Sequence, residues 1–201
     1  MSKAPAKNPP PLPGPVRDDI VQAATRVFSE RGYHGASMTD VANALGMRKP
    51  SLYHHVRKKE DLLFAIHEQM VDELIASTMT VFSSSAPAEE KLRGILRVAM
   101  GFVGRHQDGV TVFLAEHRAL SGDRWNEIVL KRDFYEKMVQ SVIADGTSAG
   151  TFVAGPPRIA AKAILAMANW GYTWFRADGA LSAEEVGDMF ADIALNGLLV
   201  R

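Results

Sequence analysis

The chain has 201 residues, 47% apolar and 23% charged, with a formal net charge of zero and no cysteine. That length supports a sizeable core in one large or two small domains. Without cysteine, a disulfide framework, a zinc–thiolate site and a cysteine nucleophile are excluded, and a reducing compartment, the cytoplasm, is expected.

No N-terminal stretch has a signal peptide's apolar core. The most apolar window, Ile159 to Phe175, spans 17 residues and carries Lys162 and Asn169. A buried helix is expected there, not a membrane span. The zero net charge hides an asymmetry. Residues 1–60 hold ten Lys or Arg and five Asp or Glu, a balance of +5; the remainder holds 13 basic and 18 acidic residues, a balance of −5. A basic head on an acidic body points to a polyanion that meets the head alone.

Residues 1–16 carry six of the ten prolines. Proline this dense builds neither helix nor ladder, so a disordered or polyproline arm is expected. From Arg17, apolar residues recur at helical spacing (Ile20, Ala23, Ala24, Val27, Phe28) up to a stop at Gly32. A second helix is expected from about Asp40 to Leu45, capped by Thr39 and ended by Gly46. A third runs from about Lys49 to Val56, with Pro50 in its first turn. A fourth begins near Glu60 with a stripe of Leu62, Leu63, Ile66, Met70 and Leu74. Beyond a loop at Ser83–Pro87, five more helices are expected over about 88–106, 109–120, 124–146, 157–177 and 183–199. No run alternates like a strand. The fold class is therefore all-α, with about nine helices. Three expected units follow: a proline-rich arm (1–16), a helix-turn-helix head (17–62) and a helical body (63–201).

The segment "MTDVANALGMRKPSLYHHVRKKEDLL", Met38–Leu63, joins two short helices through Gly46 and carries five basic residues. Helix, glycine turn, helix is the helix-turn-helix pattern. Val41, Ala44 and Leu45 face inward from the first helix, Leu52 and Val56 from the second, with Ile20, Ala24 and Phe28 covering both. That leaves Arg48, Lys49, Ser51, Tyr53, His54 and His55 on or beside the outer surface. Such a helix reads a major groove with its N-terminal residues, Arg48 and Lys49 suiting guanine edges. Tyr53, His54 and Lys59 suit phosphates, as do the helix N-termini at Thr39 and Glu60. The alternative is a hairpin whose basic face is only solvated.

"RVFSERGYHGASMTDVANALGMRKPSLYHHVRKKEDLL", within Arg17–Leu63, resembles the DNA-binding domain of TetR/AcrR-family transcriptional regulators. It shares the aromatic-containing first helix, Gly32, Thr39, Ala42, Gly46, "LYHH" and "KKEDLL". Val56 replaces a common phenylalanine, and Pro50 stands where glycine or alanine is frequent. The resemblance implies a DNA-binding regulator, by the family's habit a repressor, whose C-terminal helices bind a small molecule and dimerise. A shorter stretch, "NWGYTWFRADGALSAEEV" (Asn169–Val186), resembles a sub-group that includes regulators of steroid-ring and fatty-acid catabolism, several of which sense CoA thioesters. The arginines that some of them place between and before the aromatics are absent, with Ala166 and Thr173 standing there instead.

The last two helices are the expected dimer interface, through Ile164, Val186, Met189, Phe190, Ile193 and Gly197. The expected effector-binding residues are Phe102, His106, Phe113, Glu116, His117, Trp125, Phe134, Met138, Met167, Trp170 and Trp174, a mostly aromatic set with a few polar groups. CoA phosphates would sit at the rim near Arg105, Arg118 or Arg176. No cofactor and no metal is expected. The partners are operator duplex DNA, a hydrophobic or CoA-thioester effector and a second copy of the chain, with no membrane. "GTSAG", Gly146–Gly150, matches the hydrolase nucleophile elbow, but that motif needs a preceding strand, and here a helix precedes it. No catalytic constellation supports an enzyme. The competing reading is an architectural DNA-binding protein without an effector.

Overall fold

The computed structural model describes residues 16–153 and 155–199; the proline-rich arm falls almost wholly outside them. Among the described residues the fold is nine α-helices without a strand: α1 (Asp18–Arg31), α2 (Met38–Ala44), α3 (Lys49–Leu52), α4 (Lys59–Phe82), α5 (Ala88–Arg105), α6 (Gln107–Ala115), α7 (Gly122–Ser148), α8 (Pro157–Trp170) and α9 (Ala183–Leu198). One isolated antiparallel bridge, Phe152 with Leu199, ties the α7–α8 connection to the end of α9.

In the head, Ile20, Ala23, Ala24 and Phe28 of α1 are fully or almost fully buried with Val41, Ala42, Leu52 and Val56. Ala42, not Ala44, faces this core, and Ala44 is exposed. The cap of α2 is Ser37, not Thr39. Its hydroxyl accepts from the Asp40 N–H, and the Asp40 carboxylate accepts from the Ser37 N–H at 2.8 Å, a reciprocal capping box. α2 ends in a Schellman turn. Gly46, at φ +65°, donates to Asn43 O, and Met47 donates to Ala42 O.

α3 is one turn long, shorter than the 49–56 expected. His54 and His55 donate three residues back, to Ser51 O and Leu52 O, and this tightening brings Val56 inward to 1% exposure.

α4 is the spine. It runs from the head into the body, straight through the expected boundary between Leu62 and Leu63. In the body, α9 packs tightly along α5 because Gly187 lacks a side chain; a Cβ there would lie 2.7 Å from Arg97 Cα. Arg93 and Arg97 reach across to Asp192 (2.6 Å) and Asp188 (3.0 Å).

Two body helices end earlier than periodicity predicted. α6 stops at Ala115, and a 3₁₀ turn, His117–Ala119, follows it. α8 stops at Trp170, where Gly171 packs against Met100 and the chain tightens into a second 3₁₀ turn closed by Trp174 N–H on Gly171 O. Gly146–Ser148 of "GTSAG" form the last turn of α7, and Gly150 ends it at φ +73°. The segment is a helix stop, with no strand leading into it. No helix among the described residues is long and apolar enough to cross a membrane.

Candidate nucleic-acid interface and body cavity

The outer surface of the head carries Thr39, Arg48, Lys49, Ser51, Tyr53 and His54, all exposed. Arg48 is the N-cap residue of α3 and Lys49 its first residue, so both project from the helix start. Lys58 is neutralised by Glu60.

Lys59 departs from its expected role. Its ammonium turns inward, donating to Tyr33 O (2.6 Å) and Ala36 O (2.9 Å), and lies 4.3 Å from the Tyr33 ring centroid. It staples the α1–α2 loop to α4, which leaves little of it for a phosphate. The start of α4 also holds its own anion: the Asp61 carboxylate accepts from the Arg57 and Lys58 N–H groups at 2.8 and 2.9 Å. Asp61 in turn receives Arg124 from α7 at 2.7 Å. Burial pushes the Asp61 pKa up, but the Lys58 N–H, Arg124 and Arg57 N–H outweigh it and hold the carboxyl below its ordinary value.

A half-open cavity of about 400 Å³ lies in the body between α4, α6, α7 and α8. Val71 and Leu74 line it from α4, Phe113 and Leu114 from α6, Trp125, Val129 and Arg132 from α7, and Leu165 and Asn169 from α8. His117, in the turn after α6, closes one side; its Nδ1 lies 3.0 Å from Leu114 O and its ring 5.9 Å from that of Trp125. Behind Phe113 sits His67 of α4, fully buried, with ring centroids 5.0 Å apart.

Three of the expected effector residues, Phe113, His117 and Trp125, are brought together here. Phe102 lines only a small neighbouring void of about 30 Å³. Met138 is in the core and Met167 packs against that core. His106 points elsewhere, its Nε2 2.7 Å from Glu73. Glu116 is spent on the head, accepting from the Tyr33 N–H at 2.9 Å. Phe134, Trp170 and Trp174 are 47%, 65% and 48% exposed, so they lie on the outer surface.

Sequence reasoning missed Arg132, Asp133, Glu136, Lys162 and Asn169, because charged and polar residues on a helix read as its solvated face. The expected rim arginines lie apart from this cavity: Arg105 pairs with Glu184 and Arg176 with Asp178. Of the expected dimer residues, Ile164 and Val186 are buried inside the protomer. Met189 and Ile193 are 52% and 60% exposed, Gly197 is exposed and Phe190 is half-buried.

Residues 20–66 match the family model for bacterial regulatory proteins of the tetR family, and residues 85–198 match that for the tetracyclin repressor-like C-terminal domain. The chain belongs to the TetR family. It is a DNA-binding transcriptional regulator, not an enzyme.

Among solved TetR-family structures, the regulator PfmR from Thermus thermophilus superposes with a TM-score of 0.85 at 30% identity, covering 92% of this chain and 100% of that one. AibR, solved with isovaleryl coenzyme A and operator DNA, superposes with a TM-score of 0.80 at 31% identity over 87% and 95% of the two chains. The HTH-type transcriptional repressor KstR2 of Mycobacterium tuberculosis is 26% identical over 184 residues, 90% of this chain and 92% of its own.

Proposed function

We propose that this TetR-family chain is a homodimeric repressor that releases its operator when an amphipathic organic molecule fills the cavity between α4, α6, α7 and α8. The observation that carries this reading is the double duty of α6 and the turn after it. One side of this stretch presents Phe113, Leu114 and His117 to the cavity. The other holds the head: Asp108 accepts from the Ser29 hydroxyl of α1 at 2.9 Å, and Glu116 accepts from the Tyr33 N–H. A ligand that pushes on α6 therefore moves the anchor points of the DNA-reading unit.

The division into arm (1–16), head (17–62) and body (63–201) belongs to this proposal. In the head, Arg48 and Lys49 read base edges, and Ser51, Tyr53, His54 and Thr39 hold phosphates. Dimerisation uses the apolar outer face of α8–α9: Trp170, Trp174, Met189, Phe190 and Ile193. The two heads then meet successive major grooves about 34–36 Å apart, or slightly more, on an imperfect palindrome. The effector has an acyl or fused-ring body, free or as a thioester; the isovaleryl coenzyme A bound to AibR supports the latter form. A 100-fold release requires about 2.7 kcal/mol of differential affinity, within the usual coupling range. A cavity of this size also favours a ligand-responsive regulator over an architectural DNA-binding protein.

The test selects an operator from random duplex, then screens apolar acids, thioesters and ring compounds for its release, with sedimentation reporting the oligomer. Equal affinity for selected and random DNA would contradict the head assignment. A specific operator that no compound releases would favour the architectural reading.

A further inference from the structure

Four charged residues line the body cavity: Arg132 and Lys162 against Asp133 and Glu136. Lys162 is already spent, its ammonium 2.8 Å from Glu136 Oε2, while Glu136 Oε1 accepts from Gln140 at 2.9 Å. Asp133 is exposed. Arg132 is different. Among the described residues no carboxylate lies within ion-pair distance of its guanidinium, which sits 5.3 Å from the Phe113 ring centroid and 6.0 Å from that of Trp125. Burial depresses its pKa from the ordinary arginine value, and Asp133 and Glu136 offset part of that effect. The positive charge is thus partly removed from water and rests on aromatic faces, an arrangement worth less than a bidentate carboxylate.

The rest of the wall is mostly apolar, chiefly Val71, Leu74, Leu114, Val129 and Leu165, with His117 and Asn169 among its few uncharged polar groups. We infer that the ligand of this cavity is an amphipathic monocarboxylic acid, its carboxylate forked onto Arg132 and its apolar body against Leu74, Leu114, Val129 and Leu165. The inference rests on the reading of this cavity as the effector site. It selects the free acid over a thioester. The lining charges cancel, two of each sign, so one added carboxylate meets the one unpaired cation. The phosphates of a CoA moiety bring several negative charges and would face Asp133 and Glu136 with no further free cation in the lining. A thioester also replaces the carboxylate by a neutral carbonyl, which leaves Arg132 without its counter-ion.

The experiment is isothermal titration of the full chain with decanoate, dodecanoate and 1-naphthaleneacetate, each beside its primary amide and its CoA thioester. Wild type, Arg132→Gln and Arg132→Lys are compared. At least one acid is expected to bind the wild type ~30-fold or more tightly than its amide. Arg132→Gln should erase that preference by weakening the acid alone, and Arg132→Lys should retain part of it. Amide or thioester binding as tight as the acid on wild-type protein would overturn the inference while leaving the effector cavity in place, and this comparison needs no variant to fold. An undiminished acid preference in Arg132→Gln would also overturn it. If no member of the panel binds, the effector reading of the cavity fails together with the inference.

Discussion

The Arg124 guanidinium lies 2.7 Å from the Asp61 carboxylate and joins the first turn of α7 to the first turn of α4, with Asp61 only 9% exposed at its side chain. Arg124 also rests over the Phe64 ring, 5.2 Å from its centroid. Cutting such a pair leaves a shielded charge without its partner. Arg124→Met is expected to lower unfolding free energy by about 3 kcal/mol at neutral pH, read by chemical denaturation. The Asp61 pKa is depressed on folding, so the stability it contributes is present above the unfolded value of 3.8 and lost as pH falls below it. The gap between wild type and Arg124→Met should therefore narrow on acidification through that value. A gap independent of pH would show that the loss is packing alone.

His67 predicts an earlier acid transition. Its ring is fully buried, and neither nitrogen has a hydrogen-bond partner among the described residues. Desolvation, helped by Arg132 and His117, lowers its pKa from 6.5 to about 3. As pH falls below 6.5 the unfolded chain takes up a proton that the folded chain refuses. Stability then declines by up to about 1.4 kcal/mol per pH unit between 6.5 and about 3. His67→Leu should remove this slope and leave stability at pH 7.5 unchanged or higher, because an unsatisfied buried imidazole is replaced by an apolar group. Parallel stability–pH curves for wild type and variant would refute the buried neutral state.

Two basic residues of the head should separate by mechanism. Arg48→Ala is expected to relax base preference at one operator position by about 1–3 kcal/mol with Tm unchanged. Lys59→Ala should lower Tm, since Lys59 holds the Tyr33 and Ala36 carbonyls. It should weaken operator binding without changing the slope of log affinity against log salt. A slope reduced by about one unit would instead make Lys59 a phosphate contact.

Much of the fold was legible because it is written in periodicity and punctuation. Helices α1 and α5 follow their apolar spacing, and Gly46 marks the turn between α2 and α3. Less legible were the helix ends that meet distant partners: Gly171 against Met100, and Glu116 drawn to the Tyr33 backbone. The site was legible only in part. Phe113 and Trp125 could be picked as aromatics on or beside apolar helices, but so could Trp170, which faces outward. Arg132 gave no sequence signal, because its isolation from carboxylates arises only when Lys162 claims Glu136.

The outward apolar side chains give the oligomer prediction. Ile193, 60% exposed, and Trp170, 65% exposed, lie on the outer face of α8–α9. Ile193→Asp is expected to give a folded monomer by sedimentation velocity and to reduce operator affinity at least tenfold, because a single head covers only one half-site. A dimer persisting in both Ile193→Asp and Trp170→Asp would move the interface elsewhere.

The most direct measurement is the operator affinity of Val129→Trp, which fills the body cavity from α7 without touching the head. Transmission through α6 predicts a folded dimer whose operator Kd rises at least tenfold in the absence of any ligand. A folded dimer with wild-type operator affinity and undiminished ligand response would contradict it.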